Sequence, residues 1–178
     1  IGLLGFLSGL MYDEAFGRVR RLGTQMFAAA PNDDAANARA EDRSLAEALR
    51  TNGASLAAAL VLKYGIGTRV SLESEFTLLI PSDEAVGRLP LSKWNDLNSK
   101  VDAFERWYHQ HHAAKRVARS DVPDQGQGGA TVDLIADDSS AYKLSRKGDD
   151  LMIDGIRVLI ADVIWNKGVV HILSEDLR

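Results

Sequence analysis

Histidines are the side chains of this chain best suited to bind a metal or to move a proton. His109, His111 and His112 lie within four positions, and on a helix His109 and His112 would share a face. Two imidazoles can bind zinc or copper, but a structural site takes four ligands, and spacing places no third ligand here. We therefore expect structural or solvent-facing histidines, with no metal and no cofactor.

The fourth histidine and the glycine clusters point away from catalysis as well. His171 lies inside the apolar run VVHIL, which favours a buried neutral imidazole with a backbone partner over a catalytic base. The chain has no GxSxG, no HExxH and no recognisable pair of carboxylates. The glycines near Gly65 and Gly126 lack the strand and helix that a phosphate loop requires. The sequence predicts a protein that is not an enzyme.

Composition and charge narrow the class of protein further. The chain has 178 residues, of which 46% are hydrophobic, so one domain with a sizeable core fits its length. The net charge is -4 with both signs spread along the chain, which predicts no nucleic-acid partner. No cysteine is present, which excludes disulfides and thiolate metal sites and leaves the compartment open.

The stretch FTLLIPSDEAVGRLP is the element around which the other elements can be placed. Phe76 to Ile80 forms a short apolar run typical of a buried strand, and Pro81 ends its ladder. Ser82 stands at an N-cap position, with Asp83 and the following glutamate in the first turn of a helix. The sequence therefore predicts a strand followed directly by a short helix.

Helices are expected before this strand. Ser44 and Glu47 have the spacing of a capping box, and Gly53 is suited to end the helix that they open. A second helix from Ser55 should end at Gly65 and the glycine two residues later.

Helices are also expected after it, where Ser92 is placed to cap a helix that carries Trp94 and Leu97. Phe104 and Tyr108 follow on the apolar face of a longer helix.

Strands dominate from Thr131 onward. The runs TVDLI, AYKLS, LMI, IRVLIADVI and VVHIL are separated by polar turns. Asp154-Gly155 is a strong hairpin signal, because both central residues of a tight primed turn need positive φ, and Asn166 to Gly168 supplies a second turn. Helices first and mainly antiparallel strands last define an α+β domain.

Three segments resemble the signatures of fasciclin domains. The strand-to-helix stretch is similar to FAPTDEAF, Trp107-Tyr108-His109 to the family's tyrosine-histidine pair, and NKGVVHIL to its closing NGVIHVID motif. They occur in the family's order and cover about Ser44 to Leu177. The resemblance implies a β-wedge of mainly antiparallel strands flanked by helices, extracytoplasmic and active in adhesion or protein association. It also implies that Tyr108 and His109 form a packing and adhesion element.

The N-terminal residues differ from the domain in composition. Leu3, Leu4, Leu7, Leu10 and Met11 are spaced for one helix face, in an apolar run shorter than the about 20 residues that cross a bilayer. We expect a truncated anchor or an interface helix, with membrane contact through residues 1–21; the alternative is a helix of the core. A polar segment precedes Ser44, so residues 1–43 are predicted as helix and linker and residues 44–178 as the domain.

Two hypotheses of function follow from these observations. The first is a non-enzymatic, extracytoplasmic protein-association domain of the adhesion type, tethered through its N-terminal segment. The alternative is an accessory subunit of a membrane protein complex, anchored by its N-terminal helix and capping the complex from the extracytoplasmic side. Both expect a protein partner, and they differ in whether the apolar run remains attached to lipid.

Overall fold

The computed structural model describes residues 40–127 and 130–177. The expectations for Leu3, Leu4, Leu7, Leu10 and the membrane contact of residues 1–21 fall outside these residues. The first helix begins at Ala40, so it crosses the predicted boundary between residues 43 and 44. That boundary stays a prediction.

The six α-helices of the described residues all precede the strands except the first strand, which lies between the third and fourth helices. They are α1 (Ala40–Thr51), α2 (Ser55–Tyr64), α3 (Ile66–Ser71), α4 (Asp83–Gly87), α5 (Leu91–Ser99) and α6 (Val101–His111). Two 3-10 turns, Arg119–Asp121 and Gln125–Gln127, lie in the connection after α6.

One sheet contains the strands of the described residues. They are β1 (Thr77–Pro81), β2 (His112–Ala113), β3 (Val132–Ile135), β4 (Ala141–Lys147), β5 (Asp150–Ile153), β6 (Ile156–Trp165) and β7 (Gly168–Leu173). The order is β2-β1-β7-β6-β5-β4-β3, and every neighbouring pair is antiparallel except β1 with β7. The α+β class is confirmed.

Strand β1 lies where the helices and the sheet meet. All five of its residues are buried, and their alternation divides the core, because Leu78 and Ile80 face the helices whereas Leu79 faces a second core on the other side. Ser82 caps α4 as predicted, since its hydroxyl accepts the N–H of Ala85 at 3.2 Å. The signature stretch therefore joins both cores.

Two tight turns fix the register of the last three strands. Asp154 and Gly155 have φ of 48° and 81°, which confirms the predicted primed turn between β5 and β6. Trp165 pairs with Gly168 across the second turn. A Cβ atom on Gly168 would lie 2.4 Å from the ring of Phe76, so only glycine lets this ring pack against β7.

Three local expectations were wrong. Ser44 lies inside α1 and accepts the indole N–H of Trp165, Ser92 lies inside α5 after the N-cap Pro90, and Gly67 lies inside α3. For α1, a tertiary contact accompanies the earlier start. Buried Asp42 accepts the backbone and side-chain donors of Thr68 at 2.8 and 2.9 Å, which binds the start of α1 to α3.

Candidate functional site

Helix α6 presents its two faces to different environments. Phe104, Trp107, Tyr108 and His111 recur at intervals of three and four and are buried. The opposite face carries more exposed residues, among them His109. The predicted tyrosine-histidine pair is thus divided, with one member in the core and the other at the surface.

Tyr108 is a core residue whose ring contacts residues of both the core and the surface. Its side chain stacks on Phe104 and on His112, with the ring centroids of Tyr108 and His112 5.1 Å apart. The residue is 5% exposed, and burial raises the pKa of its hydroxyl well above the ordinary value. The guanidinium of Arg69 lies 5.7 Å from the ring centroid and covers its outer side.

His109 is the part of the pair that reaches solvent, with a side chain 47% exposed. Its Nδ1 lies 3.5 Å from Oδ2 of Asp137, and its Nε2 lies 3.7 Å from Oε2 of Glu105. Both distances suit attraction between charges when the imidazole is protonated, and both exceed a good hydrogen bond. The ring is therefore placed between two carboxylates at the surface.

Glu105 is itself fixed by a bidentate pair with Arg69. The two nitrogen-oxygen distances are 2.9 and 2.6 Å, and this hydrogen-bonded guanidinium lowers the pKa of the carboxyl group. The pair links α3 to α6 beside Tyr108. Because both side chains are partly exposed, the ion pair contributes little to stability, and its main effect is to hold the two side chains in place at the surface.

His112 leaves the helix and enters β2, where it pairs with Leu78 of β1. The expectation that His109 and His112 share a helix face is therefore wrong, because α6 ends at His111. His112 is 2% exposed, with Nδ1 2.6 Å from Oδ2 of Asp137 and Nε2 3.1 Å from Oε2 of Glu73. Both histidines thus approach Asp137, although among the described residues no group of three such side chains is arranged to hold a metal ion.

A second buried network surrounds His111. Its Nδ1 lies 2.7 Å from the carbonyl oxygen of Trp107 and its Nε2 3.1 Å from Oδ1 of Asp176. Asp176 also accepts hydrogen bonds from Lys93 at 2.6 Å and from the indole of Trp107 at 3.2 Å. Burial alone would raise the pKa of Asp176, but the contacts with His111 and then Lys93 lower it to about 2.

His171 has the environment predicted for a structural histidine. Its Nε2–H donates to the carbonyl of Val117 at 2.9 Å, and its Nδ1 accepts the backbone N–H of Asp162 at 3.3 Å. Burial, as the largest effect, lowers the pKa of the ring. A neutral imidazole satisfies both neighbours, which confirms the expectation of a buried ring with a backbone partner.

An open cleft of about 860 Å³ lies beside His109. It is bounded by α5, α6 and the turn between β3 and β4, and its lining includes Lys93, Leu97, Ala103, Arg106, Trp107, His109, Asp137 and Asp138. Sequence reasoning missed the role of Glu73 and Asp137. No local signal marks either residue, because each meets His112 only through the tertiary fold.

These elements define a class of protein before any comparison. The described residues form an α+β domain in which three of the four histidines are buried and the fourth, His109, reaches solvent beside an open cleft. None of the helices in this part of the chain is both long enough and apolar enough to span a membrane.

The fasciclin domain family matches residues 52–177, and the chain belongs to this family. The predicted resemblance, expected from about Ser44 to Leu177, is confirmed over residues 52–177. Fasciclin domains are known in adhesion-type proteins, so membership supports a non-enzymatic role in protein interaction.

A solved structure and the curated proteins give two further comparisons. The chain is similar to a FAS1 domain pair from the insect cell adhesion molecule Fasciclin I, at 18% sequence identity and a TM-score of 0.48. The match covers 77% of this chain and 45% of the insect chain, so this chain spans less than half the length of the chain that it matches. No curated protein sequence matches.

Proposed function

We propose that this chain is an extracytoplasmic protein-association domain of the adhesion type, tethered through its N-terminal segment. A protein partner binds in the cleft beside His109. The observation that carries the proposal is the open cleft at the exposed member of the tyrosine-histidine pair, in a domain of a family known for adhesion. No enzyme activity belongs to this proposal.

Two walls of the cleft, α5 and α6, are joined to each other through Asp176. Lys93 on α5 bonds to Asp176, and Asp176 also bonds to Trp107 on α6. Preformed walls reduce the conformational entropy that binding would otherwise cost. The cleft therefore suits recognition of a folded or extended protein segment without prior rearrangement.

The lining combines apolar and polar chemistry in the manner of a protein interface. Leu97 and Trp107 form the apolar floor of the cleft and are almost fully buried, whereas exposed Arg106 forms no ion pair with another described residue. Arginine and tryptophan are enriched among residues that dominate binding energy. We expect Arg106 to pair with a carboxylate of the partner, with His109 beside it.

Attachment is assigned to the apolar face of the N-terminal segment. Leu3, Leu4, Leu7 and Leu10 each contribute about 1.5–3 kcal/mol when fully buried, so exposure of the whole stripe to water is unfavourable. A lipid surface or a partner would cover this face. The polar residues that follow give the domain reach from the attachment point.

The experiment is co-purification of the full chain from membranes in mild detergent, with identification of the proteins that accompany it. Leu4→Asp with Leu7→Asp should release the chain from the membrane fraction while the thermal transition of the domain is unchanged. Ala35→Asp with Ala36→Asp adds the same charge to the polar segment and is the matched control.

Three results are distinguishable. Release with an unchanged melting temperature supports the tether, and a stoichiometric membrane complex that persists in detergent would favour the accessory-subunit alternative. A lowered melting temperature with unchanged association would assign the segment to the core and refute tethering.

A further inference from the structure

A buried histidine between two carboxylates lies behind the cleft. The Nδ1 of His112 approaches Oδ2 of Asp137, and its Nε2 faces Oε2 of Glu73 at 3.1 Å. Nε2 of His112 and Oε2 of Glu73 are both buried, and neither atom makes a well-aligned hydrogen bond within the described residues. Unlike His171, which lies between a carbonyl and a backbone N–H, this ring lies between two carboxyl groups.

His112 can hydrogen-bond to both carboxyl groups only when the three side chains hold one proton more than a neutral imidazole with two carboxylates. The contact of Nδ1 with Asp137 is the shorter of the two at 2.6 Å, and we assign the single N–H of a neutral ring to it. Nε2 of His112 must then either carry a second proton or accept one from the carboxylic acid of Glu73. Without that proton, two lone pairs would face each other at 3.1 Å away from solvent. Burial, the largest effect, raises the pKa of Glu73, and His112 opposes the rise.

This arrangement connects two loops to the edge of the sheet. Glu73 belongs to the connection between α3 and β1, and Asp137 begins the turn between β3 and β4. The backbone N–H of Asp137 donates to the carbonyl of His112 at 2.9 Å, and that of Asp138 donates to the carbonyl of His109 at 3.2 Å. The same two aspartates line the cleft.

Carboxyl groups outnumber guanidinium groups around this contact. The titratable or charged groups that face this contact come from α3, α6, the connection before β1 and the β3–β4 turn, and they are Arg69, Glu73, Glu105, Tyr108, His109 and Asp137. Three carboxylates oppose one guanidinium in this set. A proton near His112 therefore reduces an excess of negative charge.

We propose that His112, Glu73 and Asp137 form a proton-operated clamp, which holds the β3–β4 turn against α6 and so sets the shape of the cleft. When the pH rises, the proton passes to water, Glu73 separates from His112 and the bond to Asp137 loses its charge assistance. The turn then loosens. The regulation of binding rests on the proposed function of the cleft, whereas the clamp itself is a property of the partner-free protein.

The test is amide hydrogen exchange by NMR on the full chain without a partner. We expect the protection of the Asp137 and Asp138 amides, corrected for intrinsic exchange, to fall at least about tenfold between about pH 5 and pH 9. The Val86 amide, bonded to the carbonyl of Ser82 in α4, is the internal reference.

Two variants separate the clamp from a general charge effect. Glu73→Gln should keep protection nearly constant with pH, because its amide N–H can donate to a neutral Nε2. Glu84→Gln removes an exposed carboxylate from α4 and should keep the wild-type pH profile.

Constant protection in the wild type, or the same fall in Glu73→Gln, would overturn the clamp. If the fall occurs as expected but no protein binds in the cleft, the clamp stands and the proposed function of the cleft is refuted.

Discussion

Asp176→Asn removes the charge at the centre of the network that ties the C-terminal residues to α5 and α6. The carboxylate is 6% exposed and contacts Lys93, Trp107 and His111. Asparagine keeps the size and one acceptor oxygen of the side chain. The variant therefore tests the charge and its partners with little change in packing.

The magnitude follows from the pKa of the carboxyl group, which is lowered from 3.8 to about 2. At about 1.4 kcal/mol per pH unit, the ionised form stabilises the folded domain by roughly 2.5 kcal/mol. Because the folded-state pKa is depressed, this contribution is fully present above about pH 4 and is lost as the pH falls through about 2. We expect Asp176→Asn to cost about 2 kcal/mol at neutral pH and much less near pH 2.

The assay is urea unfolding of wild type and variant across this pH range. Asp149→Asn changes a side chain that is almost fully exposed and is the matched control, with an expected effect within about 0.5 kcal/mol. A loss in Asp176→Asn that does not vary with pH would show that the reasoning from ionisation is wrong.

Three further expectations concern the β-wedge. Gly155→Val should lower the free energy of unfolding in urea by at least about 1 kcal/mol, because φ is 81° at this position. Unchanged stability would mean that the turn lies elsewhere. Gly168→Ala should cost about 1–3 kcal/mol, because its methyl group would meet the ring of Phe76; a neutral outcome would mean that this ring is free to shift. Stability from neutral His171, whose folded pKa is lowered, should be present above about pH 6.5 and decline as the pH falls. NMR should find its proton on Nε2 near neutral pH, and the opposite tautomer would contradict the assignment.

Sequence reasoning succeeded where a few adjacent residues determine the backbone. Pro81 and Ser82 end a strand and start a helix by local chemistry, and Asp154-Gly155 accepts positive φ without help from the remainder of the fold. Ser44 has the same kind of cap signal, yet it lies inside α1 because contacts distant in sequence extend that helix.

The site was less accessible to sequence reasoning than the fold. Tyr108 and His109 were found through the family motif, and the amphipathic pattern placed them at the end of a helix. Asp137 follows His112 by 25 residues in the sequence, and Glu73 precedes His112. Only the pairing of β2 with β1 and the fold of the β3–β4 turn bring the three together.

Binding at the cleft is tested most directly by measuring the affinity of the co-purified partner for two arginine variants of the full chain. Ala103→Arg places a long side chain in the cleft from a helix that tolerates arginine, and Ala130→Arg adds the same group at an exposed loop position that does not line it. We expect Ala103→Arg to raise Kd at least about tenfold, or about 1.4 kcal/mol, with an unchanged melting temperature, and Ala130→Arg to leave Kd unchanged. Wild-type affinity in Ala103→Arg would contradict binding in the cleft.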